Sequence, residues 1–130
     1  MTRNLCLYLA SALLSSFGLA VAPVSAGDDP VLVAPANYKV VFENELVRVL
    51  ETTYGPDEKS VMHSHPRNMV IPLTDGVSRP VDSEGNITEY KFKAGDVIWR
   101  EAIEHVGTNS SDRPMRLLTI EFKEPEDRQH

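Results

Sequence analysis

The sequence predicts an all-β domain, a small barrel or two-sheet jelly roll, on three observations. Short runs rich in Val, Leu, Ile, Thr and Tyr recur between Tyr38 and Phe122. Turn-forming residues punctuate them about every ten positions. No stretch after residue 26 keeps an apolar 3.6-residue period long enough for a helix. The 130 residues suffice for one domain with a hydrophobic core, and no repeat or second domain is visible.

Residues 1–26 read as a secretory signal peptide. Arg3 gives a positive start, Leu5 to Ala22 is mostly apolar, and Val24-Ser25-Ala26 ends in small residues two apart, so cleavage is expected after Ala26. The alternative is an uncleaved anchor helix. The only cysteine, Cys6, lies inside this segment, so a mature chain would have neither disulfide nor thiolate, and a periplasmic or secreted location is expected. Loss of Arg3 would move the formal charge from −6 to −7. An acidic domain with no basic cluster argues against nucleic acid and, after cleavage, against a membrane partner.

Residues 27–37 form a polar, Pro-containing lead with an opening edge strand near Val31-Leu32-Val33. The barrel is expected over 38–123. Strands are expected at Tyr38–Phe42 and Glu45–Tyr54, turning at Glu43-Asn44. Gly55-Pro56-Asp57 breaks the chain, Ser60–His65 is a strand stopped by Pro66, and Met69–Leu73 follows. Asp75-Gly76 reads as a hairpin turn, and Val77–Asp82 pairs with Ile87–Phe92 across Ser83-Glu84-Gly85-Asn86. Val97–Arg100 comes after the Ala94-Gly95-Asp96 turn, Met115–Phe122 is the last strand, and 124–130 is a charged tail. Pro72 suggests an edge or bulge. Trp99 is expected in the barrel wall, its indole N–H needing a partner.

His63-Ser64-His65 is the chemical signature. Side chains at i and i+2 of a strand share a face, so two imidazoles can address one metal ion, with a third, His105, from a separate later strand. Three neutral nitrogen donors suit a divalent transition metal with open positions. Glu101 and Glu104 flank His105 and are candidates to orient an imidazole or act as a base. Gly95 is expected at positive φ with Asp96 bonding the turn backbone, and Asn109 is expected to tie the turn after His105. One of Arg48, Arg100 and Arg116, if it points inward, can clamp a carboxylate.

Together, His63-x-His65, Gly76, Gly95-Asp96, His105 and Asn109 resemble the two motifs of the small single-domain cupins, conserved (cupin-2-like, RmlC-like) β-barrels, over Tyr38 to Lys123. Two positions depart from the pattern. Met69 stands where the first motif has Glu, and Glu101-Ala102-Ile103 stands where the second has Pro-x-Gly.

The resemblance implies a double-stranded β-helix, pairing into homodimers, and His63, His65 and His105 as ligands. Without the motif's Glu, three neutral histidines leave the full charge on the ion and favour an anionic or chelating small molecule. Such a set is similar to that of thiol and diketone-cleaving dioxygenases of the superfamily. This favours iron(II), with zinc, manganese, nickel or copper as alternatives. Met69, Ile71 and Leu73 share parity and are expected to face the interior, where a Met69 thioether would favour copper(I). The functional expectation is a dioxygenase-type enzyme acting on a small polar or anionic metabolite. The alternatives are a non-catalytic periplasmic protein binding a metal or small ligand, and an inert oligomer-forming barrel.

Overall fold

A computed structural model describes residues 29–124. The signal-peptide expectation for 1–26 and the tail from 125 lie outside the described residues. Ten strands follow one short helix: α1 (Pro30–Val33), β1 (Tyr38–Glu43), β2 (Val47–Tyr54), β3 (Lys59–His65), β4 (Asn68–Pro72), β5 (Gly76–Ser78), β6 (Val81–Asp82), β7 (Tyr90–Phe92), β8 (Ile98–Arg100), β9 (Ile103–Thr108) and β10 (Met115–Phe122). They form a five-stranded sheet ordered β1-β2-β10-β4-β8, a three-stranded sheet ordered β3-β9-β6, and the β5-β7 pair. All pairings are antiparallel.

Alternation along β10 shows how the sequence sets the layers. Met115, Leu117, Thr119 and Glu121 are buried, and the residues between them are not. β10 lies between β2 and β4, so this inner row faces the interior from the middle of the sheet. Tyr38, Leu50, Tyr54, Val70, Phe92, Met115 and Leu117 make the core.

Several expected elements differ. Val31-Leu32-Val33 is helical rather than a strand, because Asp29 accepts from the Val31 N–H as N-cap and Pro30 occupies the first helical turn. Asp75-Gly76 does not close a β4–β5 hairpin. β4 pairs with β10 and β8, and β5 pairs with β7. Asp75 instead accepts from the Ala94 N–H and pairs with Lys93. Val77–Asp82 is interrupted at Arg79-Pro80. It still pairs with Ile87–Phe92 as expected, through Val77–Lys91, Ser78–Tyr90 and the Val81–Ile87 bridge, while Val81 and Asp82 also join β9. Pro72 ends β4 inside the five-stranded sheet, beyond the last β8 pair at Val70–Ile98, so no ladder bond is asked of its missing N–H there. Gly95 takes φ 88°, and Asp96 accepts from the Lys93 N–H.

The inner residues of β4 are Asn68, Val70 and Pro72, whereas Met69, Ile71 and Leu73 are partly or well exposed. The expected parity is therefore reversed, because both rows of β4 carry apolar residues and alternation alone does not say which faces inward. Met69 lies in an outward row, registered against Ile120 on one side and Trp99 on the other. Trp99 is likewise outside the core. It is half exposed, 5.4 Å from the Phe122 ring, with its N–H donated to Glu101.

Candidate metal centre

β3 and β9 carry the three histidines. His63 and His105 are directly opposed across the two strands, and His65 lies two residues further along β3 on the same face. All three are buried, with one ligand atom of each within 4.8 Å of the others. Ring centroids are 4.9 Å apart for His63–His65, 4.8 Å for His63–His105 and 5.4 Å for His65–His105.

Each ring is held differently. His65 Nδ1 donates to Glu121 Oε1 at 2.6 Å, which leaves the Nε2 lone pair free. The other Glu121 oxygen accepts from Arg48 at 2.7 Å, and Arg48 reaches Asp29 at 2.7 Å. His63 Nδ1 donates to the Val61 carbonyl at 2.8 Å, so its Nε2 accepts from the Tyr38 hydroxyl at 2.9 Å. Tyr38 in turn meets the Tyr54 hydroxyl at 2.8 Å. His105 has two buried ring nitrogens and no hydrogen-bond partner for either.

A buried polar atom with no partner is costly. A cation shared with Nε2 of His65, and with Nε2 of His63 in place of its Tyr38 bond, satisfies one His105 nitrogen, so the residues present fit a metal ion. Their protonation fits too, since ligands must be neutral. Burial lowers the His63 pKa to about 4. Burial, then the charges of His65, His63 and Arg100, lower that of His105 to about 2.

Gly107, two residues after His105, makes room for the tyrosines. A Cβ there would collide with the Tyr54 hydroxyl and sit 3.2 Å from the Tyr38 hydroxyl.

An interior cavity adjoins His65 and His105. Its lining includes Tyr38, Asn68, Ser78, Arg100 and Thr119, and no carboxylate. Measured by the centres of water-sized spheres its volume is about 30 Å³. A larger hollow of about 430 Å³ lies at the surface between Asp75, Phe92 and Arg113, and none of the three histidines lines it. Of the three strand arginines, Arg100 is the one that lines the cavity, its guanidinium 4.6 Å from the Tyr90 ring centre. Arg48 is committed to Glu121 and Asp29, and Arg116 to Glu51 on the surface.

Glu101 and Glu104 do not serve the histidines. Both are exposed, Glu101 binds the Trp99 indole, and Glu104 pairs with Ser64 on the face opposite His105. Glu121 holds His65 in their place. Its signal was present in the sequence as a carboxylate on the inward parity of Met115–Phe122. Tyr38, at the start of β1, carried no such signal. Asn109 ties its turn as expected, donating to the Gly55 and Arg113 carbonyls and accepting from Ser111.

Two sheets closing around this histidine cluster define a double-stranded β-helix of the cupin type. Comparison with solved structures supports that class. A cupin domain from Bordetella pertussis Tohama I is 29% identical, the match covering 67% of this chain and 92% of that one with a TM-score of 0.62. An RmlC-like cupin family protein with a double-stranded β-helix fold from Methanocaldococcus jannaschii has 12% identity, 68% and 80% coverage and a TM-score of 0.56. A cupin 2 conserved barrel domain protein from Salinispora arenicola has 16% identity, 88% and 92% coverage and a TM-score of 0.52. No family model and no curated protein matches the sequence.

Proposed function

We propose that His63, His65 and His105 hold a divalent transition metal, and that the protein is a dioxygenase-type oxidoreductase acting on a small polar or anionic metabolite. The observation that carries this reading is the unpartnered pair of nitrogens on buried His105, beside the free Nε2 of His65 and a His63 Nε2 that holds only the Tyr38 hydroxyl. Iron(II) is the favoured ion, on the likeness of the three-imidazole set to that of thiol and diketone-cleaving dioxygenases, with zinc, manganese, nickel or copper as alternatives. Bound iron(II) would supply redox chemistry with dioxygen. Glu121 fixes the His65 tautomer, Val61 fixes that of His63, and Tyr38 holds a hydroxyl proton at the edge of the cluster.

Elemental analysis of protein purified without a metal-affinity column tests this, alongside a His63→Ala/His105→Ala variant. Near-stoichiometric iron, absent from the variant, together with oxygen uptake on a substrate, is the expected result. No metal in either protein, and no rise in melting temperature on adding metals, would overturn it.

A second reading is non-catalytic binding of a metal or small ligand. It is favoured by the roughly 30 Å³ cavity and by the absence of a carboxylate base from its lining. A ligand that stabilises the fold and is recovered unchanged supports it.

We further propose a periplasmic or secreted location, on the character of residues 1–26. Amino-terminal sequencing of the periplasmic fraction should begin at Gly27. A homodimer is proposed through the outer row of the five-stranded sheet, where Phe42, Val49, Ile120, Met69 and Trp99 stand in register. Phe42 and Trp99 are each about half exposed in the single chain. A monomeric mass in solution would remove this proposal.

A further inference from the structure

Arg100 is the one arginine in the barrel interior, and it lacks a counter-charge. The other five arginines among the described residues each lie within 3.9 Å of a carboxylate. Arg100 makes no ion pair and no side-chain hydrogen bond among the described residues, and its Nε is buried without a partner. Arg100 is half-buried as a whole, and a buried N–H donor left without a partner is unfavourable unless something supplies the missing acceptor.

The surroundings say what that acceptor is. The guanidinium lies over the Tyr90 ring, 4.6 Å from its centre, and the cavity Arg100 lines is shared with His65 and His105. No acid lines that cavity. Among the described residues the one acid that hydrogen-bonds a histidine of the cluster, Glu121, is already divided between His65 and Arg48. A planar guanidinium offers paired N–H donors that match the two oxygens of a carboxylate. The cavity, about 30 Å³ in volume, favours a small ligand.

We propose that Arg100 is the anchor of a binding site for a small carboxylate, whose charged group pairs with the guanidinium while a second donor faces the three histidines. The second contact rests on the metal reading above, whereas the guanidinium contact does not. The proposal narrows the ligand from any small polar metabolite to a short-chain acid carrying a second oxygen or nitrogen donor.

Cobalt(II) as a spectroscopic stand-in, with oxalate as the probe, separates the two halves. Wild type, Arg100→Met and Arg100→Lys are loaded with cobalt and titrated with oxalate, following the visible spectrum and the melting temperature. The expected result is cobalt loading in all three proteins. Oxalate affinity should fall at least about tenfold in Arg100→Met, the scale of a lost charge-assisted hydrogen bond, with part retained in Arg100→Lys. Equal oxalate affinity in wild type and Arg100→Met overturns the proposal. If Arg100→Met does not fold, Arg100→Lys decides, since loss of the bidentate fork still weakens oxalate. If cobalt binds none of the proteins, the metal reading fails, and calorimetric titration of the metal-free chain with oxalate takes over. Arg100-dependent binding there keeps the guanidinium site, and its absence overturns it.

Discussion

Glu121 Oε1 lies 2.6 Å from His65 Nδ1, joining β10 of the five-stranded sheet to β3 of the three-stranded one. Both side chains are buried, at 3% and 5% exposure, so this contact sets which nitrogen His65 presents to the cluster.

Glu121→Gln should therefore weaken metal affinity by about 10–100-fold, the usual effect of losing an outer partner of a ligand histidine. Competition against a chromogenic chelator measures it. Glu121→Ala also leaves Arg48 with Asp29 alone and should lower unfolding free energy by about 1–3 kcal/mol, read from urea denaturation.

Acid should destabilise the metal-free protein in a defined window. His63 and His105 have folded pKa values lowered to about 4 and about 2, in both cases mainly by burial, from 6.5. The unfolded chain thus binds protons that the folded chain refuses. Their stability contribution is whole above pH 6.5 and declines as pH falls through 6.5 toward 4, and on toward 2 for His105. Urea midpoints across this range should fall with pH. A flat profile would contradict the burial of neutral imidazoles.

Met69→Leu should leave metal content unchanged and cost under about 1.5 kcal/mol, as a volume-conserving swap. Met69 faces outward beside Trp99 and Ile120, so a copper site through its thioether would require a different β4 face. Metal analysis of the variant decides between the two.

Gly107→Ala should destabilise by about 1–3 kcal/mol, because the added methyl meets the Tyr54 hydroxyl. It should also disturb the Tyr38–His63 bond, visible as a changed cobalt spectrum. A normal melting temperature and spectrum would show that the tyrosines can shift freely.

Much of this was legible in the residues. Strand alternation gave nearly all of β1 to β4 and β10, and the His-x-His spacing gave two imidazoles on one face. What failed depended on non-local pairing. Asp75-Gly76 has hairpin chemistry, yet the chain changes sheets there, and a turn's local preference cannot report its distant partner. Met69 failed because both rows of β4 carry apolar residues, so alternation alone did not say which faces inward. Glu104 is adjacent to His105 in sequence, but neighbours on a strand point to opposite faces. Glu121 lies 56 positions from His65, and an inward carboxylate on β10 marks a special position without naming its partner.

The chain of contacts from Asp29 through Arg48 and Glu121 to His65 draws on α1's cap, β2, β10 and β3. Its contacting pairs are separated by up to 73 positions. As the chain leaves the ribosome, both β3 histidines emerge well before the acid that orients one of them. A protein truncated before β10 would keep the His-x-His motif but lose the orientation of its second imidazole. The final geometry of the histidine cluster is therefore a property of the finished barrel, not of the motif that first suggests it.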